Sequence, residues 1–370
     1  MAEQGKLLDV VSDFSYDSEN RSWNRAYRQW RRAARSRCMY RYQGNRNEVS
    51  YVDGNAVSRP NPRHVEQAAL ANTAEVLGLA LLLHLIVTVL GSALMVGMLR
   101  LLSVNIHIDM LSLSVGGNRN AVTFVRLVTR TLKFCIPAAV VIRRCKLPRS
   151  VSAPFYFGGL PETIAAIGAA MVTAGICILI SQDIGVSLAQ ELFTYKSRLS
   201  LIVYGVFDIC VLSILSELLL RGTFLPVLRQ FGDTFAIAVT GIISFLLPNT
   251  LPDRLTELLI GLASGYLLLR GGSLAKCILL RMICSALRYA GLVLVYANHA
   301  MPLWMYGLLL ISIGMMAIAF FVRIRRGRIR LHNRETLLKE GKKISVMLQT
   351  VTLLPWLGLS VLLLLCQIFF

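Results

Sequence analysis

The sequence predicts an all-α protein, a polytopic membrane helix bundle of about eight or nine transmembrane helices. Of its 370 residues, 55% are hydrophobic, and the mean hydropathy is +0.60. Apolar runs of about 20 residues recur along the chain, which is the length that an α-helix needs to cross a bilayer. Charged residues lie mostly between these runs. Together these observations exclude an ordinary soluble domain.

The net charge of +19 points to a membrane surface. In membrane proteins, basic loops collect on the cytoplasmic side and face anionic lipid. No finger or aromatic-interleaved sheet pattern accompanies the charge, so nucleic acid is not an expected partner. The eight cysteines form no CxxC pair and lie mostly in apolar segments, where they read as small core residues.

Residues 1–70 are predicted to form a basic cytoplasmic arm. From Arg21 to Arg46 there are nine arginines and no acidic residue. Three aromatic residues and one alanine recur here at the spacing of one helical face: Trp23, Tyr27, Trp30 and Ala34. This spacing predicts an amphipathic helix on the anionic inner leaflet, with a disordered basic tail as the alternative. The first apolar run begins after this arm, too late for a cleavable signal peptide.

Residues 71–198 are predicted to hold the first three spans, at about 73–102, 121–142 and 162–184. Arg126, Arg130 and Lys133 interrupt the second span at helical spacing, so we expect them to face protein or a water-filled cavity. The third span has a small-residue face that suits close helix packing. It is formed by Ala166, Ala169, Ala170 and Ala174.

Residues 298–370 are predicted to hold two spans around a basic loop that runs from Arg323 to Lys343. With the amino terminus in the cytoplasm, nine crossings place every basic loop there, including residues 221–229 between the fourth and fifth spans. The last span is expected at about 346–370. The sequence thus predicts an integral protein of the cell membrane, with anionic lipid at Arg21 to Arg46 and at Arg323 to Lys343.

Residues 199–297, spans four to seven, carry the motifs that point to chemistry. Glu217 and Arg221 stand four residues apart, on one face of the fourth span. An ionisable group there costs about 2.5–3.5 kcal/mol on insertion scales, so the pair is either self-satisfying or part of a buried site. Further motifs follow in order: Phe245 with Asn249, Gly261 with Gly265, the turn after Arg270, and Arg281 with Ser285.

This order of motifs resembles the core of the CPBP intramembrane protease family, which includes the type II CAAX prenyl endopeptidases. That family carries EExxxRG, FxxxH, a glycine-rich helix and HxxxN. The resemblance covers about residues 199–290. It implies a helical membrane core and an endopeptidase activity in which the first glutamate and the FxxxH histidine activate water or hold a metal, while the HxxxN pair stabilises an oxyanion.

The chain departs from this pattern at the positions that handle protons. Ser216 replaces the first glutamate, Asn249 the first histidine, and Arg281 and Ser285 the HxxxN pair, whereas Glu217 and Arg221 are kept. A hydrolase needs a base with a pKa near the working pH, which neither serine nor asparagine provides. Divalent metals want several imidazoles or carboxylates, so we expect no cofactor and no metal.

The residues leave several functions open. The first is a non-catalytic protein that binds a membrane protein or peptide, in which Glu217 forms a structural ion pair with Arg221 or Arg281. The second is an active endopeptidase with Glu217 as base, Arg281 as oxyanion donor and Ser285 as auxiliary donor. A transporter that uses the stripe of cations on the second span is the third. The contacts of Glu217 discriminate between the first two.

Overall fold

The computed structural model describes residues 18–33, 36, 38, 62–108, 115–156, 159–180, 203, 205–248, 251–296, 302–325, 331 and 336–369. Over these residues the chain is built of helices, with one short hairpin. The helices are α1 Arg21–Ala33, α2 Pro62–Leu101, α3 Arg119–Cys145, α4 Arg149–Ser152, α5 Leu160–Ile180, α6 Phe207–Phe231, α7 Asp233–Leu246, α8 Leu251–Gly271, α9 Leu274–Tyr296, α10 Leu303–Ile324, α11 Glu340–Leu348 and α12 Leu353–Phe369. The hairpin pairs β1 Ile106–Ile108 with β2 Val115–Gly117.

The all-α polytopic bundle is confirmed. Four described helices, α2, α5, α6 and α10, are long and apolar enough to cross a membrane, and the bent pair of α11 and α12 would make a fifth. The other expected spans are helical as well, but α3, α8 and α9 carry several charges and α7 has only 14 residues. The count of eight or nine crossings therefore stays a prediction.

The fourth span differs from its prediction because α6 does not end at Arg221. It continues through Gly222 and Pro226 to Phe231, so residues 221–229 are not a loop. The stretch Leu218–Phe224 is wound as a π-helix. Its wider turns accommodate Pro226, which has no N–H to donate to the preceding turn. Arg221 is consequently buried in the bundle and does not face the cytoplasm.

The last span also differs from its prediction. Instead of one helix, α11 and the first part of α12 meet at an angle of 87°. Lys343 of α11 is fully buried, and its Nζ donates at 2.7 Å to both the Phe231 carbonyl and Glu340. Pro355 lies in the first turn of α12, where its missing N–H costs no hydrogen bond. These features let α11 cap the end of α6 before the chain turns.

Close packing between α5 and α10 organises one side of the bundle. Of the small-residue face expected of the third span, Ala166, Ala170 and Ala174 are fully enclosed, whereas Ala169 is partly buried. A Cβ at Gly168 would lie 2.9 Å from the Gly314 carbonyl oxygen. Glycine therefore lets the two backbones approach directly, as in other membrane helix pairs.

Helix α1 lies across one end of the bundle, here called the basic end, where α3, α6, α8 and α10 finish. Its aromatic face is buried, as the spacing predicted, but against protein and not against lipid. Trp23 donates to the Val151 carbonyl at 3.1 Å. The Tyr27 hydroxyl donates to the Pro226 carbonyl at 3.1 Å. The Trp30 indole donates to the Cys145 carbonyl at 3.2 Å. Ala34 lies outside the described residues, and lipid contact by the arginines stays a prediction.

Candidate functional site

The site is a buried cluster of charges between α6, α7, α8 and α9. Helix α6 supplies Glu217 and Arg221, α8 supplies Glu257, and α9 supplies Arg281. Antiparallel packing of α7 on α8, and of α9 along α6, brings these positions to one level of the bundle. The cluster contains two carboxylates and two guanidinium groups, so its charges balance.

Glu217 is enclosed by arginine. Its side chain has no exposed surface. Arg281 donates through Nε to Glu217 Oε1 at 2.7 Å, and the Arg221 Nε lies 3.5 Å from Glu217 Oε2. The first contact is a charge-assisted hydrogen bond, whereas the second is an ion pair at longer range. Both carboxylate oxygens are thus turned towards positive charge.

Glu257 is a site residue that the sequence analysis missed. It holds Arg281 by both guanidinium ends, with Nη2 donating to Oε2 at 2.6 Å and Nη1 donating to Oε1. A signal was present in the sequence, because a carboxylate within an apolar run of a predicted span requires a partner. Nothing in the spacing, however, links residue 257 to residue 281 before the helices are packed.

The environment of Arg221 explains the small residues of the motifs. Its Nη1 donates to Ser244 Oγ at 3.3 Å, and Ser244 donates onward to the Thr240 carbonyl at 2.7 Å. A Cβ at Gly261 would lie 2.9 Å from Arg221 Nη2. The first glycine of the GxxxG motif therefore makes room for a guanidinium, in addition to serving the predicted packing face.

The remaining motif positions do not join the cluster in the described structure. Ser216 is buried and donates to the Ser213 carbonyl at 3.3 Å. Ser285 on α9 is half-buried, and within the described part of the chain its side-chain hydroxyl makes no hydrogen bond. Asn249 lies outside the described residues. The structure thus brings together Glu217, Arg221 and Arg281 of the predicted site.

Two further ion pairs flank the cluster. Arg130 of α3 donates through Nη1 to Asp208 of α6 at 3.0 Å, so the predicted stripe of cations faces protein at this position. Arg288 of α9 pairs with Asp253 of α8. Both pairs are more exposed than the central cluster, in which Glu217 and Arg221 are fully enclosed and only Glu257 is partly exposed.

The donor set at Glu217 does not fit a divalent metal. Among the described residues, no group of three His, Cys, Asp or Glu side chains could hold an ion. The two carboxylates that are present, Glu217 and Glu257, already bind guanidinium groups. A cation placed between them would lie against Arg281, which it would repel.

Comparison with known proteins identifies the central segment. Residues 198–287 match the family model described as type II CAAX prenyl endopeptidase Rce1-like. The match covers less than half of the chain and confirms the resemblance found in the motifs of α6 to α9. Neither the curated proteins nor the solved structures gave a match.

Proposed function

Because residues 198–287 form an Rce1-like segment, we propose that this integral membrane protein uses an endopeptidase scaffold for binding and does not hydrolyse peptides. Its ligand is a membrane protein or a peptide that binds in the part of the fold where an active endopeptidase would bind its substrate. Its basic end, with the amino-terminal arm, faces the cytoplasm of a cell membrane, in accord with the positive-inside rule.

The contacts that Glu217 makes are the main support for this proposal. A general base must reach a water molecule and accept its proton. Glu217 has no exposed surface, accepts a hydrogen bond from Arg281 and lies beside Arg221. Two cations therefore occupy the carboxylate, and the hydroxyl of Ser216 beside it cannot replace it as a base.

An active endopeptidase is the second candidate, and the family match favours it. It requires Arg281 as the oxyanion donor. Oxyanion stabilisation depends on donors aimed at the developing charge. The Nε of Arg281 is directed to Glu217 and both of its terminal nitrogens to Glu257. Every nitrogen of this guanidinium therefore has a carboxylate partner, so an oxyanion would first have to displace Glu217 or Glu257, which argues against the second candidate.

Reconstitution in liposomes tests both candidates. The probe is a fluorogenic prenylated peptide of the CAAX type, offered to the wild-type protein and to the variants Glu217→Gln and Arg288→Gln. We expect binding of the peptide, measured by fluorescence anisotropy, and no cleavage above that of protein-free liposomes. Cleavage by the wild type and by Arg288→Gln that is lost in Glu217→Gln would establish the endopeptidase instead. An absence of both cleavage and binding would remove the proposed peptide ligand.

A further inference from the structure

The contact between Arg281 and Glu257 has the geometry of ligand recognition. A guanidinium that meets a carboxylate with two parallel N–H···O bonds is the arrangement by which arginine recognises carboxylates on ligands. Here both oxygens of Glu257 face the two terminal nitrogens of Arg281, one of them at 2.6 Å. The chain thus places one of its own side chains where a ligand carboxylate would bind.

The two carboxylates on Arg281 differ in access. The Glu217 side chain is fully enclosed, whereas 21% of the Glu257 side chain is exposed. Glu217 also lies close to Arg221, while the described bonds of Glu257 are to Arg281 alone. Glu217 is therefore the fixed partner of Arg281, and Glu257 covers the side of the guanidinium that is nearer the surface.

Charge balance gives Glu257 a defined role. Without Glu257, the cluster of Glu217, Arg221 and Arg281 carries one uncompensated positive charge. Arg281 is nearly buried, with 8% of its side chain exposed. A buried charge without a partner is strongly unfavourable, so the vacated position must attract an anion of matching shape.

We propose that Arg281 is a carboxylate-binding site that the chain fills with its own Glu257, and that the carboxylate of a bound peptide or membrane protein exchanges with it. This inference deepens the proposed binding function and rests on it for the identity of the ligand. The site itself can be tested with a small carboxylate, without any partner.

Chemical rescue is the experiment, with formate as the probe. In detergent micelles, Glu257→Ala is expected to lower the midpoint of thermal unfolding by several degrees, because Arg281 loses its outer partner. Added formate should restore most of this loss in a saturable manner. Chloride at equal ionic strength should not, since it cannot bridge the two terminal nitrogens. The wild type should not respond to formate.

Two variants keep the outcome decisive. Glu257→Gln preserves the shape of the side chain and should show a smaller formate response, because its amide oxygen accepts only at one end. Glu217→Ala removes a fully enclosed carboxylate, which formate should not replace. The proposed site would be refuted if formate raised the unfolding midpoint of neither Glu257 variant. It would also be refuted if formate raised the midpoint of the wild type or of Glu217→Ala by as much as that of Glu257→Ala. This result is separate from the liposome assay, because cleavage by the wild type would remove the binding role and leave the formate response intact.

Discussion

Arg281 and Glu217 are joined by a hydrogen bond of 2.7 Å between α9 and α6, although 64 residues separate them in the sequence. The pair ties the helix that carries the modified HxxxN motif to the helix that carries the EExxxRG remnant. In the family pattern these two motifs act on a substrate. In this chain their side chains bind each other, and this contact should contribute to the free energy of unfolding.

The first prediction concerns this pair. Replacing either Glu217 or Arg281 by alanine leaves buried charge without its partner and should cost about 3–5 kcal/mol of unfolding free energy. The double variant should lose less than the sum of the two, because it removes two opposite charges together and leaves the cluster neutral, with Arg221 and Glu257 as its remaining members. Unfolding by SDS in mixed micelles measures all three variants. Additive losses would show that the two side chains do not stabilise each other.

The second prediction concerns the contact between α5 and α10. Gly314→Ala would place a methyl group 2.7 Å from the Gly168 carbonyl oxygen, and Gly175→Ala would place one 2.6 Å from the Gly307 carbonyl oxygen. Because backbone atoms cannot move aside cheaply, each change should cost about 1–3 kcal/mol. Gly358→Ala is the matched control, since no atom lies within 4 Å of its added methyl. A loss in the control as large as in the other two would refute the packing argument.

The third prediction concerns the attachment of α1 to the basic end. Trp30→Phe keeps most of the apolar contact but leaves the Cys145 carbonyl without its indole donor. Tyr27→Phe likewise removes the donor to the Pro226 carbonyl. Each should destabilise the docked helix by about 1–3 kcal/mol and expose the arm to proteolysis. The control is Arg25→Gln on the exposed face of α1, which should be cleaved no faster than the wild type.

Much of this architecture follows from local sequence patterns. Apolar length predicted the helices, aromatic spacing predicted α1, and small residues predicted the face of α5. The motif order left open whether Glu217 pairs with an arginine or acts as a free base, and which of Arg221 and Arg281 the partner would be. The structure shows contacts to both, with the hydrogen bond on Arg281.

The rest depends on tertiary packing, which a single sequence does not encode locally. Glu257 joins the site because α8 and α9 are packed side by side, not because of its spacing to Arg281. Helix α6 passes Gly222 and Pro226 because π turns absorb the missing hydrogen bond. The face of α1 that was expected in lipid is buried in the protein instead. There, the backbone carbonyls of Val151, Pro226 and Cys145 accept hydrogen bonds from the hydroxyl and indole groups of its aromatic side chains.

The fourth prediction is a pH dependence at the basic end. Arg325, the residue that follows α10, bridges Glu19 and Glu162, at 2.5 Å to each, and Lys276 lies 3.7 Å from Glu162. The pKa of Glu19 is raised above its ordinary value of 4.5, first by burial and then by the neighbouring charge of Glu162, against the opposing effect of Arg325. The folded chain therefore holds the Glu19 proton at pH values where the unfolded chain has lost it.

The sign of the effect follows from this difference. A raised folded-state pKa contributes stability that is fully present below about pH 4.5 and is lost as the pH rises through the folded value. The thermal unfolding midpoint of the wild type minus that of Glu19→Gln should therefore be larger at acid pH than at about pH 7. Glu75→Gln, at an exposed position of α2, is the control and should track the wild type throughout. If the gap between the wild type and Glu19→Gln instead widens in favour of the wild type towards neutral pH, the ion pair with Arg325 outweighs burial, and the carboxylate is held at this junction in its charged form.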